Sequence, residues 1–501
     1  MGVEFPESPD GRRSTSALGR SVVADALRAV DPAGAAAAER ERDWRRGYLG
    51  HFRRLIEAGL PSAKAALTVA HEGLDSLYRR MRVVGKEQSE TGLDQLLSAS
   101  SAAPVPGTVT VAGTSEPERE LVIPYRGDRL HGDALLRQLD TWVADGIIEP
   151  SCAESISEVA KHPDWLALPG QTIVVLGAGA EVGPLPALLA WGARVVGVDL
   201  PGAALWTRVL EMARRGAGSL ELPVAERGGN SGPDSVGPDA DAVLAQRAVL
   251  AQRAGLDLGV GVPAVADWLA TMEGPLVLGN YVYADGAANV RVASAVDALT
   301  VRLQTARPDV ALAFLATPTD VFAVPPDAVA ESGRRFAGRP LAMRLARTTS
   351  GGRMFRPAYP PSSADGPGVN DSLIAQQGPN YVLAKRIQRW RATVARHAGS
   401  AVSLNVAPPT RTRSVLKNRA LAAAYAGAHR FGVETFGPAT TRTLMAALLV
   451  HDLCAGTPAA AHPWQDEAHA AAHGGLWRIP YAPRSALPVA ALLGYPSSRR
   501  S

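Results

Sequence analysis

The chain has two cysteines in 501 residues, Cys152 and Cys454. They show no pair spacing and no partner cluster, which excludes a disulfide framework and a thiolate metal site and points to a reducing compartment. No stretch of 18 uninterrupted apolar residues occurs, and Met1 to Arg20 carries acids and lacks an apolar core, so neither a membrane span nor a secretory leader is expected. The expected location is cytoplasmic. A net charge of +4, with 52 basic residues interspersed among 48 acidic ones, leaves no electrostatic footprint for nucleic acid. Lysine is scarce: five lysines stand against 47 arginines.

What is present is a large apolar fraction, 46%, enough to build an extensive core. Residues 1–35 are polar and read as a flexible start, 36–85 as a small helical module, 86–118 as a Ser/Gly/Pro/Thr linker and 119–170 as a helical lead-in. From 171 to 452 strand and helix patterns alternate, interrupted by a Gly/Pro/Ser/Asp loop over 228–238 and a long insertion over 321–379. Residues 453–501 read as a C-terminal extension. Repeated βα units predict an α/β fold with a doubly wound parallel sheet, Rossmann-like, whose ligands sit at the carboxyl ends of the strands.

Ile173-Val174-Val175-Leu176 is a continuous apolar run of buried-strand type that leads into Gly177-Ala178-Gly179-Ala180-Glu181-Val182-Gly183. Glycines allow a tight turn and close approach to a pyrophosphate, and the helix expected over Pro184–Trp191 aims free N–H groups at it. The next strand, Ala193–Val198, ends in Asp199, 22 residues beyond Gly177, where a carboxylate accepts hydrogen bonds from an adenosine ribose. The spacing is G-x-G-x-x-x-G, with Ala180 or Glu181 at the place of a middle glycine. The bland alternative is a turn whose glycines serve only strand–helix packing.

Tyr381 and Lys385 stand at i and i+4, on one face of a helix. An ammonium near a phenol favours the phenolate, so the spacing predicts a lowered Tyr pKa and proton exchange with a carbonyl or alcohol oxygen. A lysine in an arginine-rich chain suits a role for a titratable cation.

In this order of parts the chain resembles the short-chain dehydrogenases/reductases from about Gln171 to Asp452: glycine turn, acid after the second strand, Asn280 near the end of the fourth, the Tyr381/Lys385 helix after the fifth, then a strand over Ala401–Val406. That strand runs into Ala407-Pro408-Pro409-Thr410-Arg411-Thr412, similar to the family's loop on the nicotinamide side of the cofactor. The resemblance implies an oxidoreductase that moves a hydride between NAD or NADP and a carbonyl or alcohol substrate. Tyr381 would be the proton donor or acceptor and Lys385 its electrostatic partner and ribose ligand. Gly177, Gly179, Ala180, Gly183, Asp199, Asn280, Pro408, Thr410 and Thr412 would line the cofactor, and Asp199 would favour NAD. The family has a serine at the exit of the fifth strand; here that exit holds Thr317 and Thr319, with Ser350, Ser362, Ser363 and Ser372 as other sources of the hydroxyl. The family also implies a homo-oligomer.

Two other classes compete: an S-adenosylmethionine-dependent methyltransferase, with Gly279-Asn280-Tyr281 as a methyl-acceptor loop, and a nucleotide-binding scaffold without turnover. The insertion, with Arg334, Arg335, Arg344, Arg347, Arg353 and Arg356, reads either as a lid whose arginines bind carboxylate or phosphate or as a solvated surface segment. His469 and His473 fall at i and i+4 on an expected surface helix; without H-E-x-x-H, no metal site is assigned.

Overall fold

The computed structural model describes residues 2–8, 10–85, 89–101, 104–225, 240–360, 366–456 and 458–498. The loop expected over 228–238, Ser362 and Ser363 lie outside the described residues.

The N-terminal part differs from its polar appearance. Helices α1 (Thr15–Arg28), α2 (Pro32–Arg40), α3 (Trp44–Gly59) and α4 (Ala63–Arg80) pack together, so much of the segment read as flexible is helix. Ser14, Asp31 and Ser62 cap the starts of α1, α2 and α4 by accepting the backbone N–H of Ala17, Gly34 and Ala65.

The centre is a mixed α/β arrangement with a seven-stranded, mostly parallel sheet flanked by helices. Its strands are β1 (Gly107–Ala112), β2 (Thr172–Leu176), β3 (Arg194–Val198), β4 (Ser219–Val224), β5 (Leu276–Asn280), β6 (Ala311–Ala316) and β7 (Val402–Val406). The order is β7-β6-β5-β2-β3-β4-β1, with β1 alone antiparallel, on β4. That edge strand falls in the stretch read as a linker: Thr108 to Val111 alternate Thr and Val, a β-forming pattern hidden by the Ser and Pro residues around it.

Alternate residues of each strand feed different cores, as the pleat requires. Val174 and Leu176 join Leu278, Phe314, Leu404 and the N-terminal residues Val22, Phe52 and Leu77 on one face. Ile173 and Val175 join Leu188, Trp191, Trp206 and Leu448 on the other. Between the strands of interest run α5 (Gly132–Ala144), α6 (Pro150–Lys161), α7 (Leu185–Ala190), α8 (Ala203–Arg215), α9 (Ala287–Ala306), α10 (Pro326–Ala337), α11 (Leu341–Thr349), α12 (Pro379–His397) and α13 (Pro438–His451).

The insertion is not a bare loop. Val321–Val324 pairs antiparallel with Gly368–Asp371, and α10 and α11 lie between them. Helix α12 is covered on nearly every side. Val382, Leu383, Ile387 and Trp390 enter the core, and a Cβ at Gly73 of α4 would stand only 2.5 Å from the Trp390 ring, so glycine is what lets the two helices meet.

Candidate functional site

From β2 the chain steps outward to β3 and β4, then returns to the other side of β2 for β5, β6 and β7. The glycine turn therefore leaves β2 beside the point where the strand order reverses. Gly177 has φ of 86°, and a Cβ there would meet the Tyr281 carbonyl oxygen at 2.9 Å, so this position demands glycine on two counts. At Gly179 a Cβ would crowd Leu205 at 3.0 Å. At Gly183 it would find only ordinary contacts, the nearest at 3.4 Å. The helix after the turn is short, Leu185–Ala190, slightly less than the sequence suggests.

Asp199 closes the turn. Its Oδ2 accepts the Gly179 N–H at 2.7 Å and its Oδ1 accepts the Leu200 N–H at 2.8 Å, each oxygen keeping a further lone pair. Glu181 accepts the backbone N–H of Arg413 at 3.0 Å and so ties the loop after β7 to the turn. Arg442 on α13 is not foreseen from spacing or composition. Burial lowers its pKa, nearby Glu181 opposes that, and its side chain has no hydrogen-bond partner among the described residues.

The exits of β5 and β6 gather the remaining polar groups. Thr317 and Thr319 hydroxyls lie 3.0 Å apart, and Gln377 Nε2 donates to the Thr319 hydroxyl and carbonyl, both at 2.9 Å. Tyr381 comes onto this cluster from the first turn of α12, its ring edge-on to Tyr283 at 6.1 Å between centroids. Burial raises the Tyr381 pKa, a hydrogen bond with Thr317 partly offsets this, and the charge of Asp320 adds to the rise. The expected lowering by Lys385 is thus overturned, and the phenol stays protonated at ordinary pH.

The reason lies in where Lys385 points. Its Nζ donates to the Leu315 carbonyl at 3.1 Å and to Gln388 Oε1 at 3.0 Å. Gln388 in turn donates to Asn280 Oδ1 at 3.2 Å, which links Lys385 to the end of β5 through one amide. Burial pulls the Lys385 pKa down to about 8, against a modest opposing pull from Asp320.

Thr317 is therefore the hydroxyl that acts on Tyr381, while it also bonds Thr319. Ser350 is spent on the Arg347 carbonyl and Ser372 on Asn370, at 3.0 and 2.6 Å. In the loop after β7, Thr410 donates to the Pro408 carbonyl at 2.8 Å and meets the Thr441 hydroxyl at 2.7 Å, while Thr412 caps the helix Arg413–Lys417. These two threonines fix the loop.

Helix α12 also carries an ion-paired cluster, one turn beyond Lys385. Asp320 accepts from Arg386 at 2.9 Å and from Arg389 at 2.6 Å, and Glu467 holds Arg389 through two bonds of 2.6 Å. Burial pushes the Asp320 carboxyl up, but the two arginines outweigh it and hold it below its usual range. Asp320 follows Thr319 directly, so the network fixes the β6 exit against α12. Sequence spacing gives no sign of it, because Asp320, Arg389 and Glu467 meet only in the fold.

His469 and His473 are not a helical pair. His469 ends the short helix Pro463–Ala468, and buried His473 bonds Glu149 at 2.8 Å. Among the described residues, no group of three His, Cys, Asp or Glu side chains is placed to hold a metal ion, and no helix is long and apolar enough to cross a membrane. No protein-family model, no curated protein and no solved structure matches this chain.

Proposed function

We propose that the chain is an NAD(P)-dependent oxidoreductase of Rossmann-like, doubly wound type, acting on a carbonyl or alcohol. The observation that carries this reading is that the glycine turn with Asp199 and the Thr317/Tyr381/Lys385 group both lie at the carboxyl edge of the parallel strands, on the two sides of the reversal in strand order. Counted from the turn, that order is 3-2-1-4-5-6, the order of dinucleotide-binding sheets, which place their ligand at this crevice.

The residues fit such a cofactor. Asp199 offers spare lone pairs toward a ribose, and Arg442, with no ion-pair partner among the described residues, offers a cation for a pyrophosphate. A nicotinamide bound there would supply or accept the hydride. Tyr381 holds its proton at Oη, with Thr317 as hydrogen-bond partner, and is poised to donate it to an alkoxide forming at the substrate oxygen. Lys385, with a pKa of about 8, changes charge within the working range at the same strand ends and reaches Asn280 through Gln388. Asp199 disfavours a 2′-phosphate by charge, so NAD is preferred over NADP.

Calorimetric titration of the full chain with NADH, NADPH and S-adenosylmethionine tests the reading, with Asp199→Ala in parallel. Preferential NADH binding, weakened about tenfold in the variant, supports it. Binding of S-adenosylmethionine alone would transfer the site to methyl transfer, and binding of none would leave a scaffold.

A further inference from the structure

A cleft of about 480 Å³ opens between α3, the insertion and the C-terminal segment, and it shares no residue with the strand-end site. Arg53, Arg347, Arg356 and Arg484, from three distant stretches of sequence, line it around a single carboxylate, Asp371. That carboxylate is committed: Arg484 donates to its two oxygens at 2.6 and 2.5 Å, and Arg53 stands 4.0 Å away. Arg53 also bonds Glu57 at 2.7 Å.

The other two guanidinium groups have no carboxylate partner among the described residues. Arg347 makes one long bond, 3.4 Å, to the Phe355 carbonyl and stands 6.0 Å from the Phe336 ring centroid. The Arg356 side chain has no hydrogen-bond or ion-pair partner among the described residues, although its backbone is held at both ends, by Ser485 Oγ at 3.0 Å and by the Ala482 N–H at 2.8 Å. A guanidinium on a fixed backbone presents its planar fork to the cleft with little ordering left to do when an anion arrives. The Tyr359 ring forms part of the wall, its hydroxyl engaged by the Trp477 carbonyl at 2.6 Å.

We infer that this cleft binds the phosphate group of a small organic phosphate ester. A phosphate monoester carries about −1.5 to −2 charge and three acceptor oxygens, which matches two free planar forks better than a single carboxylate does. The volume lies in the range of small-molecule sites, roughly 300–1,000 Å³, and leaves room for an organic portion against Tyr359. The inference is independent of the oxidoreductase proposal.

The test is calorimetric titration of the full chain with phenyl phosphate and with inorganic phosphate at low and high salt, for wild type, R347A/R356A and Asp199→Ala. Arg347 is partly exposed and Arg356 exposed, so the double variant keeps its fold, and circular dichroism checks this. The expected result is salt-sensitive binding, tighter for the ester, weakened at least about tenfold in R347A/R356A and unchanged in Asp199→Ala. Binding that survives R347A/R356A but is lost in Asp199→Ala would assign the phosphate to the glycine turn and overturn the inference. So would no binding of either phosphate.

Discussion

One helix, α12, carries two kinds of cation. Arg389 is locked between Asp320 and Glu467, and Arg391 is held by both oxygens of Asp297 at 2.8 Å. Lys385, in the same helix, touches only a carbonyl and an amide, and no carboxylate lies within ion-pair distance among the described residues. Burial is common to all three, and partner chemistry makes the difference. Paired carboxylates overcome desolvation and keep arginine charged, whereas neutral oxygen ligands leave lysine near its titration point, at about 8. Arginine anchors the helix and lysine stays free to titrate.

Breaking the anchored pairs has the largest expected effect. Asp320→Ala leaves Arg386 unpaired in the interior and Arg389 with Glu467 alone, and urea unfolding is expected to report a loss of about 3–5 kcal/mol. An unchanged midpoint would show that the two kinds of cation do not differ in structural weight.

At the titrating cation, Lys385→Met removes a charge and is expected to leave the fold intact while lowering any dehydrogenase turnover by about a hundredfold or more. Lys385→Arg should fail to restore it, because a guanidinium stays charged. Steady-state rates against a carbonyl panel give the comparison, and full activity in the arginine variant would erase the distinction between the two cations.

The pH dependence sharpens the same point. The folded pKa of Lys385, about 8, lies below the ordinary 10.5, so the unfolded chain binds more protons between these values. Its contribution to stability therefore rises with pH across that window. Urea midpoints of wild type should climb relative to Lys385→Met from pH 8 to 10, and parallel profiles would contradict the assignment. The smallest contrast is within the turn: Gly177→Ala should cost about 1–3 kcal/mol from its positive φ and the Tyr281 carbonyl, and Gly183→Ala under about 0.5 kcal/mol. Thermal unfolding of both variants resolves the pair.

The glycine turn, β2, β3, β5, β6 and α12 are legible in the sequence because each is local: an apolar run, a glycine cluster, a helical period. The Tyr381/Lys385 pair is visible for the same reason, yet its electrostatics are not. The helical spacing puts both side chains on one face but does not say that the Leu315 carbonyl will capture the ammonium, nor that Thr317 will meet the phenol. The buried pairs of Asp320 and Glu467 join residues 66 to 78 positions apart, beyond the reach of any spacing argument. Strand β1 and helix α1 were obscured by polar neighbours, although Thr-Val alternation and the Val22/Val23/Ala26/Leu27 stripe were there to find.

Trp390 resting on Gly73 has a consequence for the order of events during synthesis. The four N-terminal helices emerge first, but the helix that covers them arrives some 300 residues later. Contacts of such sequence separation slow folding and leave apolar faces of the early helices waiting for a partner. The N-terminal helices and the Tyr381 helix therefore mature together, so a chain truncated before residue 379 would lack the surface its own beginning was made to meet.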